Sequence, residues 1–354
     1  MYVLTTNDVN DALAQGIRYL LSEGIEELSR NGPVLVAPGP VTTVYMEPRR
    51  RVLFSPTRDA NPFFHLMEAL WMLSGDNDIE FPCYFAKTYG QYSDDGKTMW
   101  DAYGWRWRSF FGWDQLEAIA QELRANPASR RCVLSMWNSM PDFEGPLPEP
   151  NAFNDHDIHD DFWVATHGGK AVPCNTQAYF DVRGGRINMT VLCRSNDILL
   201  GCYGANAVHF SFLLEYMAMK VGVPVGVCRQ VSNNFHLYTD VWPREKLLRI
   251  AEESEARTGE VTGPAVETGF DEDLKEFMTW ARANIGYTEH RNDSEECFHG
   301  PFRTALIDQV AVPMFQAWAT RKAKNYDLQN DAVERIAAPD WQVACQEWIQ
   351  RRVK

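Results

Sequence analysis

The stretch that most constrains the fold of this chain is residues 172–211, which reads as a tight β-hairpin followed by an apolar helix. Residues 177–182 and 186–193 are rich in β-forming side chains and flank a Gly-Gly pair. Glycine supplies the positive φ angles that both central positions of a two-residue hairpin turn require. The pattern therefore predicts that Cys174, before the first strand, and Arg194, after the second, lie at the same end of a sheet.

Cys174 has neighbours that favour reactivity. A thiol beside an arginine has access to the thiolate form, which a thiol packed among apolar side chains lacks. The Pro-Cys pair at 173–174, one hairpin before the Arg-Ser-Asn-Asp run at 194–197, resembles the thymidylate synthase superfamily. In that superfamily the cysteine of the Pro-Cys motif is the nucleophile. The alternative for Cys174 is a small buried hydrophobic residue, which describes most cysteines.

Composition limits the class of protein. The chain has 354 residues, of which 45% are hydrophobic and 23% charged, so it is long and apolar enough for a large core in one or two domains. Its net charge of −14 argues against a general nucleic-acid binder, which needs a basic face. An anionic small substrate must therefore bind at a local cluster of arginines.

The cysteines and the N-terminal sequence bear on location. The eight cysteines form no CxxC pair, which in a chain of this length is typical of reduced, cytoplasmic proteins. The first residues lack the basic-then-apolar pattern of a secretory signal, and no run of 18 apolar residues occurs. We expect a cytoplasmic protein with no membrane association.

The resemblance implies the fold class and the domain organisation. It implies an α/β (α+β) thymidylate-synthase-like fold, with a large mixed sheet flanked by helices, and it covers about residues 33–242. We expect a catalytic domain at 1–254 with an acidic insertion at about 141–171, and a helical C-terminal extension at 255–354 packed on the same domain.

Apolar periodicity predicts the individual elements. Asn7 or Asp8 is a suitable helix cap, and the pattern predicts a helix from there through about Ser29. Short strands are expected within 33–54, and helices at 63–73, 116–123, 207–221, 271–285, 303–325 and 331–354.

Two residues are candidates for proton transfer. Glu68 lies in the middle of an apolar helix, where an unpaired ionised carboxylate costs several kcal/mol, so it needs a partner or must stay neutral. Its surroundings resemble the family helix whose glutamate relays protons to the base; a structural ion pair is the alternative. Tyr103 begins a Tyr-Gly-x-x-Trp-Arg pattern that resembles the family's site tyrosine, which implies a role in removing the C5 proton.

Several arginines are candidates for phosphate binding. The run at 49–51 is either a solvated turn or a phosphate site, since a guanidinium group matches phosphate geometry. The family's phosphate-clamping Arg-Thr-Gly loop is missing, which leaves open whether Arg58 or another arginine replaces it. The resemblance implies that Arg130 and Arg131 reach across a homodimer interface to the phosphate of the partner's nucleotide. It also implies phosphate binding by Arg194 and Ser195.

Further residues are expected to hold the sugar and the one-carbon donor. Alternate residues of a strand share a face, so His236 and Tyr238 are spaced to hold a ribose hydroxyl, as the family's His-x-Tyr motif does. The resemblance implies that Asp197 and Gly201 contact the pterin of 5,10-methylenetetrahydrofolate. Tryptophans such as Trp100 offer a flat face on which the pterin can stack.

These residues suit one-carbon transfer to C5 of a pyrimidine nucleoside monophosphate. C5 becomes nucleophilic when a thiolate, here Cys174, adds to C6. After the folate leaves, hydride addition to the remaining methylene group gives a methyl product, and water gives a hydroxymethyl product. Asn175 replaces the family's histidine, residues 202–206 replace a shorter segment, and the family's closing tail is absent. These departures favour 5-hydroxymethylation of dUMP or dCMP; a divergent thymidylate synthase is the alternative.

The base is a separate question. In the family, an asparagine after the Leu-Gly turn reads uracil, and an aspartate there suits cytosine. Asn206 aligns with this position once one inserted residue is allowed, and its amide offers both a donor and an acceptor. The sequence therefore favours dUMP over dCMP.

Other classes of function explain the sequence less well. A non-catalytic nucleotide-binding or RNA-binding module has no use for Cys174 together with Glu68 and Tyr103. The sequence contains no GxGxxG phosphate loop, which argues against a flavin-dependent reaction. Acidic and histidine residues at 155–161 suggest metal ligands, but an acidic surface loop is the better interpretation, so we expect no metal.

Overall fold

The computed structural model describes residues 1–29, 31–139, 142, 170–257, 263–285 and 300–352. Most of the predicted acidic insertion, including the suggested metal ligands at 155–161, lies outside the described residues. The strands are β1 (Tyr2–Thr6), β2 (Ile25–Ser29), β3 (Gly32–Val36), β4 (Val41–Tyr45), β5 (Val133–Ser135), β6 (Asn175–Arg183), β7 (Arg186–Cys193), β8 (Asn196–Asp197), β9 (Val225–Ser232) and β10 (Phe235–Tyr238).

The α-helices flank these strands and also form the C-terminal region. They are α1 (Val9–Glu23), α2 (Pro62–Ser74), α3 (Glu80–Phe85), α4 (Tyr103–Arg108), α5 (Gln115–Ala125), α6 (Asn206–Val221), α7 (Arg244–Glu255), α8 (Phe270–Ile285), α9 (Val312–Lys322), α10 (Tyr326–Glu334) and α11 (Pro339–Gln350). A 3₁₀ helix spans Lys87–Tyr92, and π-helical segments precede α6 (Ile198–Ala205) and α9 (Ile307–Ala311).

The strands form two sheets, and the larger one is mixed as expected. Its order is β1-β4-β9-β7-β6-β5, with parallel pairs β1–β4 and β7–β9 among antiparallel ones. The smaller sheet has the order β2-β3-β10-β8. The predicted hairpin is confirmed as β6–β7, with Gly184 and Gly185 at φ 58° and 72°. A non-glycine residue is strained at such angles.

The centre of the fold is α6, which is buried on nearly all sides and packs between α2 and the larger sheet. The helical stretch Ile198–Val221 is long and apolar enough to cross a membrane, but 83% of its most apolar window is buried inside the protein. A core helix of a globular protein meets the same criteria, so this stretch is weak evidence for a membrane span.

The C-terminal helices pack against α2. The Phe63 ring lies 5.6 Å from the rings of Trp318 on α9 and Trp348 on α11. Arg351 and Arg352 both pair with Asp59, just before α2. The helical nature of this region is thus confirmed, and the predicted division at residues 254 and 255 stays a prediction.

The structure corrects two of the predicted helices. The first ends at Glu23, and residues 25–29 form β2, because Gly24 takes an extended conformation and its N–H bonds to the Leu20 carbonyl. The predicted helix at 331–354 is divided between α10 and α11, and Pro339 begins the second of them. The Asp8 cap is confirmed: its side chain accepts hydrogen bonds from the N–H groups of Asn10 and Asp11.

Candidate active site

The hairpin brings Cys174 and Arg194 together, as the sequence predicts. Asn175 pairs with Cys193 in the sheet register, and the Arg194 N–H donates to the Cys174 carbonyl at 2.8 Å. The Arg194 side chain folds back along the same segment, so that its Nη2 atom lies 3.8 Å from the Cys174 Sγ atom. A cation this close to the sulfur favours the thiolate, which is the nucleophilic form.

The Arg194 side chain is held rigidly in this position. Its Nε donates to the Pro173 carbonyl at 2.9 Å, and its Nη2 donates to the Val172 carbonyl at 3.1 Å. The guanidinium group also lies over the Trp137 ring, 5.5 Å from its centre. These contacts fix the charge beside the thiol, and they show that Arg194 orders the backbone that carries Cys174.

Tyr103 reaches the site because Gly104 lets α4 lie against α2. A Cβ atom on Gly104 would come within 1.9 Å of the Met72 carbonyl oxygen, so only glycine permits this approach. The Tyr103 hydroxyl oxygen accepts from the N–H groups of Cys174 and Asn175, at 3.1 and 3.0 Å. Burial, followed by the neighbouring Cys174, raises the pKa of Tyr103 well above its usual value. Tyr103 therefore stays protonated at neutral pH.

A row of buried amides extends from Tyr103 into the core. Asn175 Nδ2 donates to the Tyr103 hydroxyl at 3.0 Å and to Asn206 Oδ1 at 3.1 Å. Asn206 Nδ2 donates to Asn196 Oδ1 at 3.2 Å, and Asn196 Nδ2 donates to the Ser232 hydroxyl at 2.8 Å. Each amide orients the next, so the Asn206 carbonyl faces Asn175 and its amino group faces Asn196.

Gly201 is packed against this row. A Cβ atom there would lie 3.1 Å from Asn196 Oδ1 and 3.6 Å from Asn206 Nδ2. A side chain at Gly201 would thus press on the bond between the two amides.

Glu68 has the buried partner that the sequence analysis required. Its Oε2 atom lies 2.9 Å from His209 Nε2 on α6, and both side chains are almost completely buried. The two atoms are close enough for a polar contact, although they are not aligned as a hydrogen bond. His65, one turn earlier on α2, is also buried, and burial lowers its pKa to about 3. His65 is therefore neutral.

Two cavities meet at the thiol. The larger has a volume of about 450 Å³, the smaller about 280 Å³, and both are lined by Cys174 and Arg194. A group bound in one cavity and a group bound in the other would therefore meet at the sulfur atom. The larger cavity is the more polar of the two, and the smaller cavity is mostly lined by apolar and aromatic side chains.

The larger cavity contains five of the predicted substrate-binding and folate-binding residues. They are Arg194, Ser195, Asp197, His236 and Tyr238. The rings of His236 and Tyr238 lie 5.4 Å apart, on the same face of β10 as predicted. Burial lowers the pKa of His236 and raises the pKa of Asp197, its partner in the register of β8 and β10.

Other predicted residues line neither of these two cavities. Trp100 donates its indole N–H to Asp142 at 2.9 Å. Asn206 belongs to the buried amide row, and Gly201 packs against that row. Arg130 and Arg131 are exposed, and Arg131 pairs with Glu122 at 2.7 Å. The roles predicted for these residues remain predictions.

Three of the candidate phosphate-binding arginines, Arg49, Arg51 and Arg58, contact groups within the fold, and Arg50 pairs with the exposed Glu47. Arg51 is buried and pairs with the buried Glu215 of α6 at 2.6 Å, and Arg49 lies 3.4 Å from the same carboxylate. Arg58 is buried and donates to the Leu199 carbonyl at 2.8 Å. The guanidinium group of Arg51 also lies over the Phe212 ring. Arg51 is therefore part of neither a solvated turn nor a phosphate site.

Two polar residues, one in contact with Glu68 and one in the wall of the smaller cavity, were not expected from the sequence. His209 stands one helical turn after Asn206 in a mostly apolar helix, and a polar pair at that spacing is a usable signal. Asp101 lies in the wall of the smaller cavity, and its sequence context gave no comparable signal. Within the described ranges, no group of three or more His, Cys, Asp or Glu side chains could hold a metal ion.

Comparison with known proteins gives consistent matches. The thymidylate synthase family model matches residues 17–256. A deoxyuridylate hydroxymethyltransferase of Pseudomonas phage M6 is 42% identical over 99% of this chain and 95% of its own length. A protein of the same name from Bacillus phage SP01 is 31% identical over 68% of this chain and 60% of its own length. The crystal structure of thymidylate synthase from T4 phage superposes with a TM-score of 0.53 at 18% identity, covering 74% of this chain and 89% of that one.

Proposed function

The chain belongs to the thymidylate synthase family, and from this premise we propose that it transfers a one-carbon unit to C5 of dUMP, giving the 5-hydroxymethyl nucleotide. The observation that carries the proposal is the position of the Cys174 sulfur, where the two cavities meet and where Arg194 lies 3.8 Å away. The hydroxymethyl product is supported by the names of the two phage relatives described above.

The larger cavity suits a nucleoside monophosphate. Its wall combines the Arg194 guanidinium group and the Ser195 hydroxyl, which suit a phosphate, with His236 and Tyr238, which suit the sugar hydroxyl. A nucleotide bound in this way would present its base toward Cys174. Asn206, which accepts a hydrogen bond from Asn175, would set the preference for uracil over cytosine.

The smaller cavity suits 5,10-methylenetetrahydrofolate. The rings of Tyr89 and Tyr92 give this cavity flat faces, and Met99 adds apolar surface, which suits a pterin ring. Lys170 supplies a cation, which suits the anionic tail of the folate. When bound, this folate supplies a carbon unit at the oxidation level of formaldehyde. Asp197 lines the larger cavity next to the same sulfur, so a role in folate binding requires the pterin to extend past Cys174.

The chain's own residues prepare the nucleotide for reaction. The Cys174 thiolate adds to C6, and the negative charge that develops at the base carbonyl is neutralised by a proton relayed from Glu68. Tyr103, which is neutral and hydrogen-bonded to the Cys174 N–H, holds the nucleophile in place and assists removal of the C5 proton. The amide row keeps Asn206 oriented while the base is bound.

Water access distinguishes the hydroxymethyl product from a methyl product. The described C-terminal residues pack against Asp59 at the start of α2 and do not line either of the two cavities. Asn175, in place of a histidine, is fully buried and its Oδ1 atom has no hydrogen-bond partner among the described residues. The first feature favours a site in which water reaches the C5 substituent, because no described C-terminal residue covers either of these two cavities.

We also propose that the enzyme is a homodimer in the cytoplasm. Arg130 and Arg131 are exposed and line neither of the two cavities of their own chain, which suits a role in the active site of a second copy. The outer face of the larger sheet carries partly exposed side chains such as Tyr179, at 39% exposure, which a second copy would cover. In that arrangement each phosphate is bound by both subunits.

The test is mass spectrometry of the nucleotide after incubation with 5,10-methylenetetrahydrofolate and, separately, dUMP, dCMP or CMP. We expect dUMP to gain CH₂O and the folate to remain as tetrahydrofolate. A gain of CH₂ with formation of dihydrofolate would instead establish a thymidylate synthase. The Cys174→Ser variant should form no product, and an absence of product and of a covalent 5-fluoro-dUMP adduct in the wild type would favour a non-catalytic nucleotide binder.

A further inference from the structure

The smaller cavity contains a carboxylate that the roles proposed above do not use. Asp101 lies in its wall together with Cys174, two residues before the site tyrosine Tyr103. Asp101 is partly exposed and contributes to the wall of this cavity. A carboxylate in contact with cavity water and close to the nucleophile is able to take a proton from that water.

The surroundings of Asp101 leave its side chain ionised at neutral pH and raise its affinity for a proton. Burial raises its pKa to about 6, the Arg106 guanidinium opposes this rise, and the carboxylates of Glu68 and Asp142 add to it. Lys170 and Arg194 supply positive charge in the wall of the same cavity, and Tyr89 contributes a hydroxyl. At neutral pH most Asp101 side chains are therefore carboxylates, with a higher proton affinity than an exposed aspartate.

Glu68 is less well placed than Asp101 to take a proton from water in the cavity. Its side chain is 5% exposed, it lies against His209, and it does not line either of the two cavities that meet at the thiol. Tyr103 remains protonated and its oxygen accepts hydrogen bonds from backbone N–H groups. Among the described residues in the wall of the smaller cavity, Asp101 is thus the only carboxylate.

We propose that Asp101 is the general base that activates the water molecule which forms the hydroxymethyl group; this inference rests on the proposed function. The water oxygen bonds to the exocyclic methylene carbon, and one water proton passes to the Asp101 carboxylate. The electron pair of the methylene double bond moves toward C5 and the C4 carbonyl. It then forms the C5–C6 double bond as the Cys174 thiolate leaves C6.

The step can be separated from those before it with dUMP that carries tritium at C5. Tritium is released when the one-carbon unit has been attached and the C5 proton removed, before water adds. In a single turnover, the Asp101→Asn variant should release tritium as the wild type does, and intact-protein mass spectrometry should detect the methylene nucleotide on Cys174. Formation of the hydroxymethyl product from that adduct should be slower by about 100-fold, within the range of general-base catalysis.

The pH profile of the same step supplies a second readout. In the wild type, the rate of product formation from the adduct should fall below about pH 6, where Asp101 becomes protonated. In Asp101→Asn this dependence should disappear, and Asp101→Glu should restore part of the rate. Glu276→Gln, which removes an exposed carboxylate from the C-terminal extension, is the matched control and should behave as the wild type.

The possible failures are distinguishable. Equal loss of tritium release and product in Asp101→Asn, with a raised KM for the folate, would assign Asp101 to folate binding and overturn the inference. Wild-type rates in Asp101→Asn would overturn it as well. Absence of tritium release and of any hydroxymethyl product in the wild type would overturn the proposed function together with the inference.

Discussion

The Nε2 atom of His209 lies 2.9 Å from the Oε2 atom of Glu68, with both side chains almost completely buried. The contact joins the central helix α6 to α2 across the base of the site. It gives the buried carboxylate a partner in a region where an isolated charge is strongly unfavourable.

We expect His209→Phe to lower the free energy of unfolding by about 1–3 kcal/mol, because it removes one polar partner of the buried Glu68 carboxylate while Tyr89 stays beside it. The Glu68→Gln, His209→Phe double variant should lose less than the sum of the two single variants. Urea denaturation of the four proteins measures this coupling. Strict additivity would show that the two side chains do not interact.

Cys174 should be the most reactive thiol among the described cysteines. Only Cys83 and Cys174 are partly exposed, and burial raises the pKa of Cys83 while Arg194 lies beside Cys174. Burial raises the pKa of Cys228 to about 12, which makes it unreactive at neutral pH.

The measurement is the rate of iodoacetamide modification at each cysteine at pH 7.5, followed by peptide mass spectrometry. dUMP should protect Cys174 and leave Cys83 unprotected. Faster modification of Cys83, or no protection by dUMP, would contradict the assignment of Cys174 as the nucleophile.

Asn206→Asp should shift the base preference from dUMP toward dCMP. A carboxylate at this position only accepts hydrogen bonds, so it keeps the contact from Asn175 and loses the donation to Asn196. The ratio of kcat/KM values for dCMP and dUMP measures the shift, which should be on the order of 10-fold or more for one changed hydrogen-bonding group. An unchanged ratio would mean that another residue reads the base.

Asp101→Asn should stabilise the protein at pH 7.5. The folded-state pKa of about 6 lies above the unfolded value, so the ionised side chain disfavours the folded state once the pH rises through 4 to 6. The neutral amide removes this penalty, which we expect to be on the order of 1–3 kcal/mol after allowance for partial exposure.

Urea denaturation of both proteins from pH 4 to pH 8 measures the effect. The difference in the free energy of unfolding should be largest above pH 6 and should vanish near pH 4, where both side chains are neutral. A variant less stable than the wild type at pH 7.5 would show that the Asp101 carboxylate is favourably paired in the folded protein.

Short-range chemistry allowed much of the site to be predicted from the sequence. The Gly184-Gly185 turn determines the register of β6 and β7 as far as Gln177 and Leu192, and a shift of register between Gln177 and Asn175 brings Cys174 beside Arg194. The alternation of a strand places His236 and Tyr238 on one face. In each case the interacting groups are close in sequence, or are joined by a turn of defined geometry.

The tertiary structure decided what depends on contacts between distant segments. From its sequence context, Glu68 was expected either to have a partner or to be neutral, and only the packing of α2 against α6 identified His209 beside it. Packing likewise directed Arg51 to Glu215 rather than to solvent, and exposed Asp101 to the smaller cavity. Local patterns carry no information about which segments of the chain meet, because that choice is made by the collective burial of apolar surface.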